Sequence, residues 1–135
     1  MKTINLNKNW LYRIVTDDTP YHLPTLDDST WSGLLPQKQL PSLSNNEVLW
    51  LRCHFTMPPN DECSYWWLEL AQTWPAHARI WVNYEALPLP PQFSPAKWEM
   101  TYAIAMGDNV VTIQTTSEST AQLCGGMRCV PYPCA

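Results

Sequence analysis

Trp74, Tyr84, Phe93 and Trp98 fall close in the sequence to Arg79, Asn83, Gln92 and Glu99, so flat aromatic faces are interleaved with guanidinium, amide and carboxylate groups. That combination suits a polyhydroxylated ring. An aromatic face packs against the apolar C–H face of a pyranose, while the polar side chains exchange hydrogen bonds with its hydroxyls. These eight residues form the candidate ligand-binding set. Each tryptophan also has packing as a competing role, Trp98 inside a core and Trp74 over an edge.

Covalent and acid–base chemistry finds less support. Cys53 and His54 are neighbours on a strand and point to opposite faces, so they cannot act as a nucleophile and its base. Glu69, Glu85 and Glu99 are the carboxylates nearest aromatic residues, and a pair of them at the right separation could cleave a glycosidic bond, but spacing alone does not bring any two together. The chain has no Gly-x-Ser-x-Gly elbow, phosphate-binding glycine loop or dinucleotide fingerprint. No catalytic residue is assigned and no cofactor is implied.

Cys124, Cys129 and Cys134 recur at a spacing of five. This is the loose end of zinc-knuckle spacing with no histidine nearby, so buried thiols or a terminal disulfide are favoured over a metal site. Five cysteines cannot all pair within one chain, which points toward a reducing compartment. No apolar leader follows Met1, and no stretch approaches the roughly 18 apolar residues of a membrane span. The expectation is a cytoplasmic protein without membrane contact. Eight Lys and Arg, scattered singly in a chain of net charge −4, give no basic stripe for nucleic acid.

Strands must position the candidate residues. From Val48 to Met57, Leu49, Leu51, Cys53, Phe55 and Met57 fall on one face and Trp50, Arg52, His54 and Thr56 on the other. The second set is either the lining of a binding surface or, more commonly, a stacked patch shielded from solvent. Tyr65 to Leu70 is a second strand, with Trp66, Leu68 and Leu70 on one face. Trp10 to Val15, Arg79 to Asn83 and Val110 to Thr116 supply three more, the last after the Gly107-Asp108-Asn109 turn. The segments 36–47 and 87–95 are polar or proline-rich and read as loops, where ligands usually meet a sandwich. With 135 residues, 13 prolines and 4 glycines, the chain fits one all-β domain.

Several segments carry a family pattern in order. They are Trp10, Asp28-Ser29-Thr30-Trp31 with Leu35-Pro36, Trp50-Leu51-Arg52-Cys53-His54-Phe55, Arg79-Ile80-Trp81-Val82-Asn83, Trp98-Glu99-Met100-Thr101, Gly107 to Ile113 and Gly125 to Val130. Together they resemble the jelly-roll sugar-binding domain that precedes the barrel in family 2 glycoside hydrolases. The resemblance implies a galactose-binding-domain-like sandwich, and it places the family's two catalytic glutamates in a barrel outside these motifs. Tyr84 replaces the glycine of the family's Asn-Gly hairpin, which removes the usual hairpin chemistry. The glycine-rich loop beyond it becomes Ala86 to Pro91 with Gln92-Phe93-Ser94 at the tip, so a galactosidase-type contact from this loop is not implied.

The chain therefore reads as an all-β jelly-roll sandwich over residues 1–135, acting as a non-catalytic carbohydrate-binding module. The alternative is a structural or protein-interaction sandwich that binds no sugar, including a separately encoded accessory subunit of a glycosidase. The partners these readings admit are a carbohydrate ligand, a protein partner, or a second copy of the chain.

Overall fold

The computed structural model describes residues 2–35, 40–59, 64–90 and 95–134. Its strands in chain order are β1 (Ile4–Asn5), β2 (Leu11–Val15), β3 (Ser32–Gly33), β4 (Val48–Met57), β5 (Ser64–Leu70), β6 (Arg79–Val82), β7 (Glu85–Ala86), β8 (Lys97–Glu99), β9 (Gly107–Thr115) and β10 (Met127–Pro133). A 3-10 helix, Glu118–Gly126, precedes β10. Two sheets form the sandwich, one of four strands ordered β1-β10-β5-β8 and one of six ordered β3-β2-β4-β9-β6-β7. Every strand pair is antiparallel.

The alternation in β4 builds the core as expected. Leu49, Leu51, Cys53, Phe55 and Met57 face inward and meet Trp66, Leu68 and Leu70 of β5, with Trp98, Val111, Ile113, Met127 and Cys129 from the flanking strands. Full burial of one such side chain contributes about 1.5–3 kcal/mol relative to exposure. Register fixes what lies on the opposite face of the six-stranded sheet: Trp50 sits between Arg13 and Gln114, and Arg52 between Leu11 and Thr112.

Three local features depart from the sequence expectations. The Tyr84 replacement does not abolish the hairpin, because Val82 pairs with Glu85 across a two-residue turn. Asn83 takes the left-handed conformation there at φ 53°. Asparagine tolerates that region better than most residues. Its side chain is also tied down, donating to Ala103 O and to Asn109 Oδ1 and accepting from the Val110 N–H. The 3-10 helix was not foreseen, since Ser117 before it makes no side-chain cap and its nine residues carry no strong apolar period. The two-residue strands β1, β3 and β7 are too short to show alternation.

The cysteines divide into two groups. Cys53, Cys124 and Cys129 are free and buried, while Cys134 is disulfide-bonded. Cys63 lies outside the described residues. No helix is long and apolar enough to cross a membrane among the described residues.

Candidate functional site

The candidate ligand-binding residues occupy four different places. Trp98 is 3% exposed on β8 and donates its indole N–H to Pro88 O at 2.7 Å. Trp74 meets it edge-on, with ring centroids 5.2 Å apart, and donates to Ala78 O. The pair closes an edge of the core, in line with the packing role weighed against ligand contact. Asn83 and the exposed Tyr84 form the β6–β7 turn. Arg79, at the far end of β6, lays its guanidinium 4.9 Å over the Trp81 ring on the outer face of the six-stranded sheet. Glu99 is exposed on the outer face of the other sheet, where it accepts from the Thr101 hydroxyl at 3.3 Å. Gln92 and Phe93 lie outside the described residues.

The outer face of the six-stranded sheet is covered around Trp50, Arg52 and Trp81. Between β2 and β3 the chain crosses it, placing Tyr21, Leu26 and Trp31 over Trp50 and Trp81 in a second apolar cluster. Trp50 and Trp81 stack at 5.6 Å, and His22 stacks on Trp81 at 4.8 Å. Burial and the cations Arg79 and Arg52 lower the His22 pKa, which keeps its imidazole neutral there. Arg52, 0% exposed, lies beneath this layer and donates to Asp28 Oδ2 at 2.7 Å, Tyr21 O at 2.7 Å and Thr112 Oγ1 at 3.2 Å. Its Nη2 has no hydrogen-bond partner among the described residues, and the guanidinium carbon sits 5.8 Å from the Trp31 ring centroid. His54 donates from Nε2 to the same Asp28 oxygen at 2.6 Å, the only direction a carboxylate allows. Burial pushes the Asp28 carboxyl up, but the hydrogen bonds from Arg52 and His54 outweigh it and hold the group below its ordinary 3.8. Trp50 and Arg52 thus belong to a shielded patch rather than a binding surface, while the His54 side chain stays 49% exposed.

The outer face of the four-stranded sheet stays open. Tyr65 and Tyr132 are cross-strand neighbours, 42% and 41% exposed, with Trp67 and Val130 beside them half-buried. Tyr132 donates to Glu69 Oε2 at 2.5 Å, which raises the phenol pKa, and Arg128 lies 3.5 Å from Oε1. Glu69 stands opposite Lys97, and Glu99 opposite Trp67, so these two carboxylates are diagonal neighbours on one sheet face, Glu99 exposed and Glu69 buried. Glu85 belongs to β7 in the other sheet.

A concave site lies elsewhere, where three segments distant in the chain meet. It is a cleft of about 500 Å³ bounded by residues 7–10, by Leu34, Leu35 and Leu40, and by the 3-10 helix from Glu118 to Gly125. Asn9 turns the first wall at φ 63°. That wall is anchored by Leu6 N–H to Met127 O, by Leu34 N–H to Trp10 O, and by Cys53 Sγ to Lys8 O. The Trp10 indole N–H is committed to Leu6 O, so this buried ring presents only apolar surface. The helix is pinned at its first turn by Thr115 Oγ1 and Thr120 Oγ1 at 2.8 Å, with His77 Nε2 3.2 Å from the Thr120 hydroxyl. Glu118 accepts the Leu43 N–H through Oε2 at 3.4 Å. Asn7, Asn9 and Gln122 are exposed, and their side-chain amides have no hydrogen-bond partner among the described residues.

Among the described residues nucleophilic and metal chemistry gain no footing. Burial pushes the Cys53 and Cys129 thiols up to about 12 and raises that of Cys124 as well, so all three stay protonated and inert. Among the described residues no cluster of His, Cys, Asp or Glu could hold a metal ion.

No protein-family model matches the chain, and no curated protein matches its sequence. Solved structures match it in fold. A glycosyl hydrolase family 2 member from Bacteroides cellulosilyticus DSM 14838 aligns with a TM-score of 0.66 at 17% identity, over 87% of this chain and 18% of that one. Bacteroides uniformis β-glucuronidase 2, covalently bound to cyclophellitol-6-carboxylate aziridine, gives 0.68 at 15% identity, over 98% of this chain and 18% of that one. A β-glycosidase from Bacteroides vulgatus gives 0.69 at 16% identity, over 98% and 20%. The chain spans about a fifth of the length of these enzymes. At such identities the likeness is one of fold, and the fold is that of a β-sandwich segment found within family 2 glycoside hydrolases.

Proposed function

We propose that residues 1–135 form a non-catalytic carbohydrate-binding module of the family 2 glycoside hydrolase type, holding its sugar in the cleft beside Trp10. The observation that carries this reading is the convergence in one concavity of three uncommitted amides and an ammonium with leucine side chains, the Ser119 hydroxyl that pairs with Ser117 Oγ and the Glu118 carboxylate that accepts the Leu43 N–H. Small-ligand sites have this makeup, an apolar lining with a few polar groups that orient the ligand. The enzymes that share the fold are named for glycoside substrates, which agrees with the same ligand class. Hydrolysis takes two carboxyl groups flanking the scissile bond. Among the described residues the cleft has only Glu118, while on the four-stranded sheet Glu99 is exposed and Glu69 is buried against Tyr132 and Arg128.

The test is a tryptophan-fluorescence titration against galactose, mannose, glucuronate and a few oligosaccharides. Saturable change with at least one sugar is the expected result. A flat response across the panel would remove the reading.

A second reading rests on a different observation. The open face with Tyr65, Trp67 and Tyr132 is the kind of partly apolar surface that covers another domain or a second copy of the chain, which would make this a structural or interaction sandwich. Sedimentation at rising concentration separates the two. A dimer lost on Tyr132→Ala supports the interaction module, and a monomer throughout counts against a dimer.

A further inference from the structure

We infer that the outer face of the four-stranded sheet is a second carbohydrate site, a platform for an extended oligosaccharide chain and not for a single sugar. It goes beyond the Trp10 cleft and draws on no residue of it. Trp66, Leu68 and Leu70 of β5 and Met127 and Cys129 of β10 point into the core, so Tyr65, Trp67 and Glu69 share the outer face with Arg128, Val130 and Tyr132. Register sets them in three rows: Glu69 between Arg128 and Lys97, Trp67 between Val130 and Glu99, and Tyr65 beside Tyr132.

A buried carboxylate fixes one of the rings in place. Glu69 stands opposite Arg128, four residues from Tyr132 and so about 13 Å along β10. Its Oε2 nevertheless accepts the Tyr132 hydroxyl at 2.5 Å. A phenol standing up from the sheet falls short of that span, so the Tyr132 side chain is laid along the strands across the Val130 and Trp67 row. Glu69 is 6% exposed and has Arg128 at 3.5 Å, so it is a firm anchor. The ring is thus held at both ends before a ligand arrives, and little side-chain freedom is left to lose on binding.

Size and lining select the occupant. Four strands about 4.8 Å apart, rising about 3.3 Å per residue over the length of β5, project roughly 400 Å². Each side of a stable protein complex buries about 800 Å². A glycan chain asks for less width, because its rings meet aromatic side chains one after another along a line. About two or three pyranose rings fit the span of 13 Å from Tyr132 to Glu69. Their apolar C–H faces meet Tyr65, Trp67 and Tyr132. The exposed side chains of Arg128 and Lys97 donate to hydroxyls at the margin, and that of Glu99 accepts from them. A single ring covers only part of this surface and is enclosed on one side alone, which leaves monosaccharides to the cleft.

The experiment is a ¹H–¹⁵N NMR titration of the whole chain with cellohexaose, xylohexaose, mannohexaose and free glucose, repeated on Tyr65→Ala and Tyr132→Phe. At least one hexaose should shift the Trp67 indole and the backbone amides of Tyr65 and Tyr132, while glucose leaves them still. Tyr65→Ala removes a ring without touching the Glu69 bonds and should weaken the hexaose about threefold to tenfold. Tyr132→Phe keeps the ring and frees it from Glu69, for a loss of about threefold. Hexaose shifts confined to the Trp10 indole and the Asn9 and Gln122 amides would overturn the platform and leave the cleft in place. Glucose moving the sheet face as strongly as a hexaose would overturn the requirement for a chain. A face that no hexaose perturbs would overturn the platform whatever glucose does at the cleft. Face resonances that shift with protein concentration and with no sugar would make it a contact between copies of the chain and would overturn the inference as well.

Discussion

The sealed face over Arg52 and the cleft beside Trp10 draw on the same residue types, tryptophan beside charge and polar side chains, and they differ in what those groups already touch. Over Arg52 the indoles stack on one another and the guanidinium is bonded to Asp28, Tyr21 O and Thr112. At the cleft Trp10 forms a closed wall, while the amides around it are exposed and without partners among the described residues. Buried groups packed and bonded on most sides hold a fold together, even with Arg52 Nη2 and the Trp31 indole N–H unpartnered among the described residues, whereas exposed, unpartnered groups in a concavity are available to a ligand. Composition alone does not separate the two cases.

The largest effect should come from the sealed face. Arg52→Ala strands Asp28 without its buried partner and opens a cavity beneath Trp31 and Trp50, a loss of about 3–5 kcal/mol in urea unfolding. A change below about 1 kcal/mol would mean that the cluster is not the structural element described here. Asn83→Ala comes next. It removes two donated hydrogen bonds and one accepted bond and leaves a residue at φ 53° without the asparagine side chain that favours it. The expected loss is about 2–3 kcal/mol by the same assay.

Acid should weaken the sealed face selectively. Asp28 has a folded pKa below its ordinary 3.8, so it binds a proton less readily folded than unfolded. Its contribution is therefore present above that value and is lost as pH falls through the lower folded value. Urea midpoints measured from pH 5 down to pH 2 should fall less steeply in Asp28→Asn than in the wild type. An unchanged slope would contradict the assigned hydrogen bonds. The smallest stability effects belong to the cleft. Asn9→Gly and Gln122→Ala should each stay within about 0.5 kcal/mol of the wild type, because neither side chain holds anything in place. A larger destabilisation would show that the cleft, too, is structural.

Strand residues with strong alternation were readable from the chain, as β4 shows, because one buried face imposes a period of two. The Asp28 and Trp31 turn was visible as a motif, but not that its chain crosses the sheet to bury Arg52, since that contact spans 24 residues. Trp74 and Trp98 read from the chain as either ligand contacts or packing residues, because exposure is a tertiary property that sequence proximity to polar residues does not report. Their indole N–H groups turned out to be bound to nearby carbonyls. The cleft was missed because its walls lie far apart in the chain and one of them is a 3-10 helix without a capping side chain. Two local signals were present in hindsight: the polar run Asn7-Lys8-Asn9 beside Trp10, and Glu118 with Ser119 and Gln122 after a strong strand.

The central claim is that ligand binding and structural support are divided between these two regions, and calorimetric titration of galactose and glucose into wild type, Gln122→Ala and Trp67→Ala tests it most directly when melting temperatures are recorded alongside. The account predicts binding that weakens several-fold in Gln122→Ala at an unchanged melting temperature and persists in Trp67→Ala. Binding that survives Gln122→Ala and disappears in Trp67→Ala would move the site to the open sheet face and contradict it.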